Sequence, residues 1–261
     1  MTKSLHEAPP APVSIHPIAG LPEVRPGADL ARLLAEAIQA AGLGLQAGDV
    51  LVVTQKIVSK AEDSRVRLDT VEPSPLALAW GGEWGHDPRQ VELVLRESKR
   101  IVKMTRGLII SETRHGFICA NAGIDLSNAG DPAMAILLPE DPDRSAFRLR
   151  ESLRGRFGAA PAVIVSDSFG RPWRQGLTQV ALGVAGLHPL LDLRGDQDAD
   201  GRPLHGTLIA LADELADAAD LVCSKTNRVP AALIRGWRPP AARPEGTGRA
   251  LLRPPSEDLF R

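Results

Sequence analysis

Tyrosine is absent, and aromatic residues make up only 3% of the 261-residue chain. So few flat side chains leave little to stack bases on, which argues against single-stranded nucleic acid as a partner. A dominant charge of one sign is missing as well. Lys and Arg total 31 against 32 Asp and Glu, a formal charge of -1, whereas a nucleic-acid binder carries a basic footprint. Only two cysteines occur, Cys119 and Cys223, each among apolar neighbours. That excludes a disulfide scaffold and zinc-ligand spacing, and it predicts buried thiols in a reducing cytoplasm. No apolar run approaches the roughly 18 residues of a membrane span. Residues 1–14 lack a continuous apolar stretch, so they read as a frayed Pro/Ala-rich start, not a signal peptide.

Common nucleotide fingerprints are missing too. There is no Gly-x-x-x-x-Gly-Lys-Ser/Thr, and no Gly-x-Gly-x-x-Gly follows a strand, so any nucleotide site is unconventional. The acidic stretch Asp192 to Arg202 lacks calcium-loop order and reads as a solvated turn.

What the chain does contain is an alternation of helical and extended patterns. Residues 29–41 repeat apolar side chains with helical period and end at Gly42. Val50 to Val53 is a buried strand, followed by the polar exit Thr54-Gln55-Lys56 and Ser59-Lys60, which suits either a phosphate or plain solvent. Asp87-Pro88 opens a helix whose apolar stripe runs Val91, Val94, Leu95, Val102, with Glu92, Arg96, Lys99, Arg100 and Lys103 on its wet face. Residues 108–113 and 116–120 form a hairpin around Arg114-His115, with His115 solvated at its tip. Further expectations are a strand at 133–138, a helix at 142–157 with an arginine-rich wet face, a helix at 207–219 and a strand at 229–235. The fold class is α/β, mixed α+β, with a non-Rossmann topology.

The most informative stretch is Ser166-Asp167-Ser168-Phe169-Gly170-Arg171-Pro172-Trp173-Arg174, directly after the strand 161–165. Asp167 and Ser168 offer hard oxygens to a divalent cation, and Arg171 and Arg174 offer planar forks to a carboxylate or phosphate. Ligands in open α/β proteins gather at the carboxyl ends of strands. The alternative is a polar turn with solvated arginines.

Taken in order, several segments carry a likeness. They are Gly20 to Val24, Val53 to Lys60, Asp87-Pro88-Arg89, Arg96 to Lys99, Arg114 to Phe117, Ala120 to Asn128, Leu138 to Asp143, Ser166 to Arg174, Gly183 to Gly186 and Ala212 to Leu215. The series resembles the coenzyme F420-0:L-glutamate ligase family (F420 gamma-glutamyl ligases) over nearly the whole chain. The resemblance implies that family's own mixed α/β fold, with residues 15–238 as the ligase domain and 239–261 as a linker and docking tail. It implies GTP-dependent amide formation between L-glutamate and F420-0 through an acyl phosphate. It also implies two Mn or Mg ions, an assisting potassium ion, and a cytoplasmic homodimer that binds neither nucleic acid nor membrane. By resemblance, Asp125 and Asp167 share one metal and Ser168 contacts the second through oxygen. Leu21, Pro22, Glu23, Val24, Gln55, Lys56, Lys60 and Asn128 meet the nucleotide, as do Ser224, Lys225 and Thr226 in a loop that departs from the family by Ser224 and Arg228. Arg171 and Arg174 are placed on a substrate carboxylate or phosphate. For Asp125 alone, an Asx-turn carboxylate is the competing reading. Some family members carry a C-terminal flavin domain, for which this chain is too short. Two other functions use the same residues: a metal-dependent phosphotransferase or hydrolase, and a non-catalytic nucleotide- or F420-binding regulator.

Overall fold

The computed structural model describes residues 12–223, 225–238 and 244–258. A five-stranded sheet organises them. Its strands are β1 (Ser14–Pro17), β2 (Val50–Thr54), β8 (Ala162–Arg171), β9 (Arg174–Ala185) and β12 (Ala231–Arg235), in the spatial order β1-β12-β2-β8-β9. Only β2 and β8 run parallel; every other neighbour in this sheet is antiparallel. The smaller sheets are β4-β5-β6 (Ser98–Thr105, Leu108–Thr113, Ile118–Ala120), β3-β7 (Arg65–Arg67, Met134–Ile136) and β10-β11 (Leu191–Asp192, Leu208–Ile209). This is a mixed α+β protein, not an alternating parallel sheet.

Buried β-branched residues on both sides of β2 and β8 require cover on both faces. One face packs on helices α1 (Leu30–Ala40), α2 (Gln55–Ala61) and α5 (Pro142–Phe157), through Leu34, Ile38, Leu51, Val53, Leu153 and Val165. The other packs on α6 (Leu211–Asp220), through Val52, Ile164, Ala212 and Leu215. Helices α3 (Pro75–Trp84) and α4 (Pro88–Glu97) close a smaller core with β5. No helix among the described residues is long and apolar enough to cross a membrane.

Helix α5 spans the expected residues, capped by the Asp141 side chain and ended by Gly158 in a left-handed conformation. The hairpin at 108–120, the strands near 134 and 231 and the exposed 194–202 turn also stand as expected. Leu251 and Leu252 dock against two of the cores. Both cysteines are buried, and loss of solvation pushes each thiol up to about 12.

Several expectations fail. Gln55, Lys56, Ser59 and Lys60 do not trail off a strand; they form α2. The helix opened by Asp87 ends at Glu97, and Lys99, Arg100, Val102 and Lys103 lie on β4 because that segment pairs with β5. Glu92 is not on a wet face: it is buried, accepting from the Ser74 amide at 3.0 Å and pairing with Arg96 at 2.8 Å. His115 is half-buried and stacked on Phe117, its Nε2 2.9 Å from the Pro139 carbonyl oxygen. Arg150, on the supposed wet face of α5, is also half-buried, paired with Glu151 and Glu245. Helix α6 begins at Leu211, not 207, because Leu208 and Ile209 are taken up by β11. Ser166 to Arg171 is no loop but the outer half of β8, and Arg174 opens β9. Residues 1–11, 239–243 and 259–261 of the expected frayed start, linker and docking tail lie outside the described residues.

Candidate active site

The parallel pair fixes the place. Thr54 of β2 is in register with Ser166 of β8, so the chain turns into α2 at Gln55 beside Asp167, where β8 runs on past the end of β2. The antiparallel strands bring their neighbouring loops to the same end. Thr54 N–H donates to the Pro230 carbonyl at 2.9 Å, which seats the loop before β12 there. Ile18 N–H donates to the Ala231 carbonyl at 2.9 Å, which starts the segment 18–24 from that end. Four regions distant in sequence therefore meet because strand direction leaves them no alternative.

At this end of the sheet Lys56 reaches from α2 to the 122–128 loop. Its Nζ lies 2.6 Å from Asp125 Oδ2 and donates to the Ser127 carbonyl and hydroxyl, each at 2.9 Å. Asp125 Oδ1 accepts from the Ser127 amide at 2.7 Å, an Asx turn. The carboxylate thus caps its own loop with one oxygen and turns the other to a cation. Burial is the largest influence on Asp125 and would raise its pKa. The hydrogen bonds from Lys56 and Ser127 outweigh it and hold the carboxyl below its usual range.

Asp167 behaves differently. Removal from water pushes its pKa up to about 6, against the pull of the Ser168 amide; the Asp125 charge adds to the rise, and Lys225 and Lys56 oppose it. Asp125, Lys56 and Lys225 are near enough for their charges to act on Asp167. Ser168 is half-buried, its Oγ accepting from Gln179 Nε2 at 2.7 Å. Behind Asp167 lies the Cys119 thiol of β6, whose pKa is raised by burial and then by the Asp167 charge.

Lys60 is buried beside the more exposed Glu23 and forms an ion pair with it, which ties segment 21–24 to α2. Val24 is buried, Leu21 half-buried and Pro22 exposed. Gln55 is buried; its Oε1 accepts from Ser59 at 2.8 Å, while Nε2 has no partner among the described residues. Asn128 and Thr226 are exposed, and Ser224 lies outside the described residues. Arg171 and Arg174 lie apart from these residues. They face each other across the exposed tip of the β8–β9 hairpin, about 13 Å from Asp167 by strand rise.

The donor set fits a hard divalent cation. Asp125 and Asp167 supply carboxylate oxygen, which Mg or Mn prefers; Ser168, the next residue along β8, turns its hydroxyl to the opposite face of the sheet and would serve a second ion. Among the described residues no group of three or more His, Cys, Asp or Glu side chains is assembled. Water and substrate oxygens would complete the shell, the usual habit of Mg. Sequence reasoning missed Ser127 and Gln179. Gln179 was hidden by a bulge: the turn that pairs Arg171 with Arg174 would set Leu177 opposite Ser168, and the register shift between Gly170 and Arg171 brings Gln179 there instead.

The fold defines a mixed α/β protein that carries carboxylates, a hydroxyl and lysines at the carboxyl end of a parallel strand pair. The sequence model described as "F420-0:Gamma-glutamyl ligase" matches residues 20–236. The chain is 47% identical to the coenzyme F420:L-glutamate ligase of Methanopyrus kandleri over 95% of its own length and 97% of the relative's. It is 45% identical to the protein of that name from Methanothermobacter thermautotrophicus, over 95% and 99%. A third such protein, from Methanocaldococcus jannaschii, is 40% identical over 83% and 86%. The chain belongs to the F420-0:gamma-glutamyl ligase family.

Proposed function

We propose that this protein joins L-glutamate to coenzyme F420-0 at the expense of GTP, in the cytoplasm and as a homodimer. The single observation that carries the reading is the pairing of Lys56 from α2 with Asp125 from the 122–128 loop at the carboxyl end of β2, where Asp167 stands on the parallel neighbour β8. A triphosphate and a carboxylate repel each other, and phosphoryl transfer depends on positioning and on neutralising that charge. A substrate carboxylate oxygen attacks the γ-phosphorus and GDP leaves. The glutamate amine nitrogen then attacks the acyl carbon, phosphate leaves, and the nitrogen loses a proton as the amide forms. Further rounds would extend a gamma-linked tail.

Asp125 and Asp167 would share one divalent cation and Ser168 would contact a second, and the two would draw negative charge from the phosphates. Lys56 and Lys225 supply cationic side chains beside the carboxylates, and Lys60, released from Glu23, would offer its ammonium to a phosphate. Segment 21–24, Gln55, Asn128 and the loop with Ser224, Lys225 and Thr226 would enclose the nucleotide. Potassium as an assisting ion is part of the same proposal. Arg171 and Arg174 would hold a substrate anion, reaching it from the hairpin tip.

Mass spectrometry of the purified protein incubated with F420-0, L-glutamate, GTP and Mn tests the reading. The expected product is F420-0 with one or more glutamyl units, with GDP formed only when glutamate is present. Asp167→Asn should lower turnover roughly 100-fold or more with an unchanged circular dichroism spectrum. GDP release independent of glutamate would replace the ligase with a hydrolase, and near-normal turnover by the variant would end the metal assignment.

A further inference from the structure

Gln179 is buried, 7% exposed, and lies opposite Ser168 in the β8–β9 register. Its Nε2 donates to Ser168 Oγ at 2.7 Å. Its backbone N–H points away from β8 and donates to Asp217 Oδ1 on α6 at 2.7 Å; two residues on, Ala181 N–H donates to Asp213 Oδ1 at 2.8 Å. β9 is an edge strand of the sheet. Its outward amides have no sixth strand to meet, and two carboxylates one helical turn apart on α6 take that role. An outward amide makes Ser168–Gln179 a non-hydrogen-bonded pair, the kind whose side chains approach most closely. Gln179 is thereby clamped on its main chain by α6 while its amide group is aimed at the hydroxyl.

We propose that Gln179 is a positioning residue for Ser168. Donation from Nε2 occupies one lone pair of the hydroxyl oxygen, fixes its rotamer and turns its proton elsewhere, so a single lone pair remains for a cation. This rests on the reading of Ser168 as a cation-contacting oxygen. Asp213 and Asp217 act one step further back, by holding the strand that carries Gln179.

The test is Mn²⁺ titration of the full-length protein by calorimetry without substrate, alongside the Mn²⁺ concentration for half-maximal turnover. Gln179→Met, which removes the donor at similar length, should weaken Mn²⁺ binding about 10–100-fold while turnover at saturating Mn²⁺ changes less. Gln179→Asn, one carbon short of the hydroxyl, should weaken binding too, and serves if the Met variant does not fold. In a Ser168→Ala background neither change should add a further loss. Binding equal to the parent in a folded Gln179 variant, or losses that multiply with Ser168→Ala, overturns the positioning role and leaves the Ser168 reading intact. Unaltered Mn²⁺ binding by Ser168→Ala alone removes that reading and the proposal with it.

Discussion

At Asp125 the two carboxylate oxygens have separate tasks: Oδ1 closes a turn on the Ser127 amide and Oδ2 faces Lys56. The Asx turn, the competing sequence reading for this residue, is therefore present, and it leaves the second oxygen to Lys56. Glu92 is the opposite case, a group with a purely structural partnership. The Ser74 hydrogen bond, then Arg96, lowers its pKa from 4.5 to about 2. A depressed carboxylate stabilises the fold above its unfolded pKa, and that contribution is lost as pH falls from about 4.5 towards 2. Urea midpoints measured across this window should fall more steeply for the parent than for Glu92→Gln. Parallel pH profiles would show that Glu92 is not ionised by these contacts.

Among the elements, β9 and α5 meet where no side chain fits. A Cβ on Gly183 would lie 2.1 Å from the Pro142 carbonyl oxygen, at the start of α5. Backbone cannot yield as a flexible side chain can, so Gly183→Ala should cost about 1–3 kcal/mol by overpacking, read as a shift in denaturant midpoint. An unchanged midpoint would contradict this close approach. The elements also differ in how far they were legible. Helix α5 announces itself through Asp141, Pro142, its apolar spacing and Gly158. Helix α2 does not, because three of its five buried residues are the polar Gln55, Ser59 and Lys60 and no apolar stripe marks it. The apolar stripe of α4 runs past its end because Ile101 and Val102 continue the count, and only pairing with β5 turns that segment into a strand.

For the molecule as a whole, the exposed hairpin tip bears on assembly. Trp173 is 80% exposed and Leu177 60%, an apolar surface that a second copy would cover in the proposed homodimer. Light scattering should give a dimer mass for the parent and a monomer-shifted mass for Trp173→Asp; a monomeric parent would refute the assembly. Long-range closure operates at this scale too. Arg235 on the last strand grips Asp49 ahead of β2 at 3.0 and 2.7 Å, across 186 positions of sequence. Neither residue has a local pattern that reveals the pair. The sequence by itself determined the two-sided core strands, the well-capped helices, the family and the oxygen-bearing residues, because each of these is written in local periodicity, turn chemistry or an ordered series of segments. Tertiary structure decided which distant loops share one end of the sheet, why the pKa values of Asp125 and Asp167 move in opposite directions, and that Arg171 and Arg174 stand apart at a tip. Those outcomes depend on strand direction, on burial and on the charge of neighbours far away along the chain, and local sequence encodes none of them.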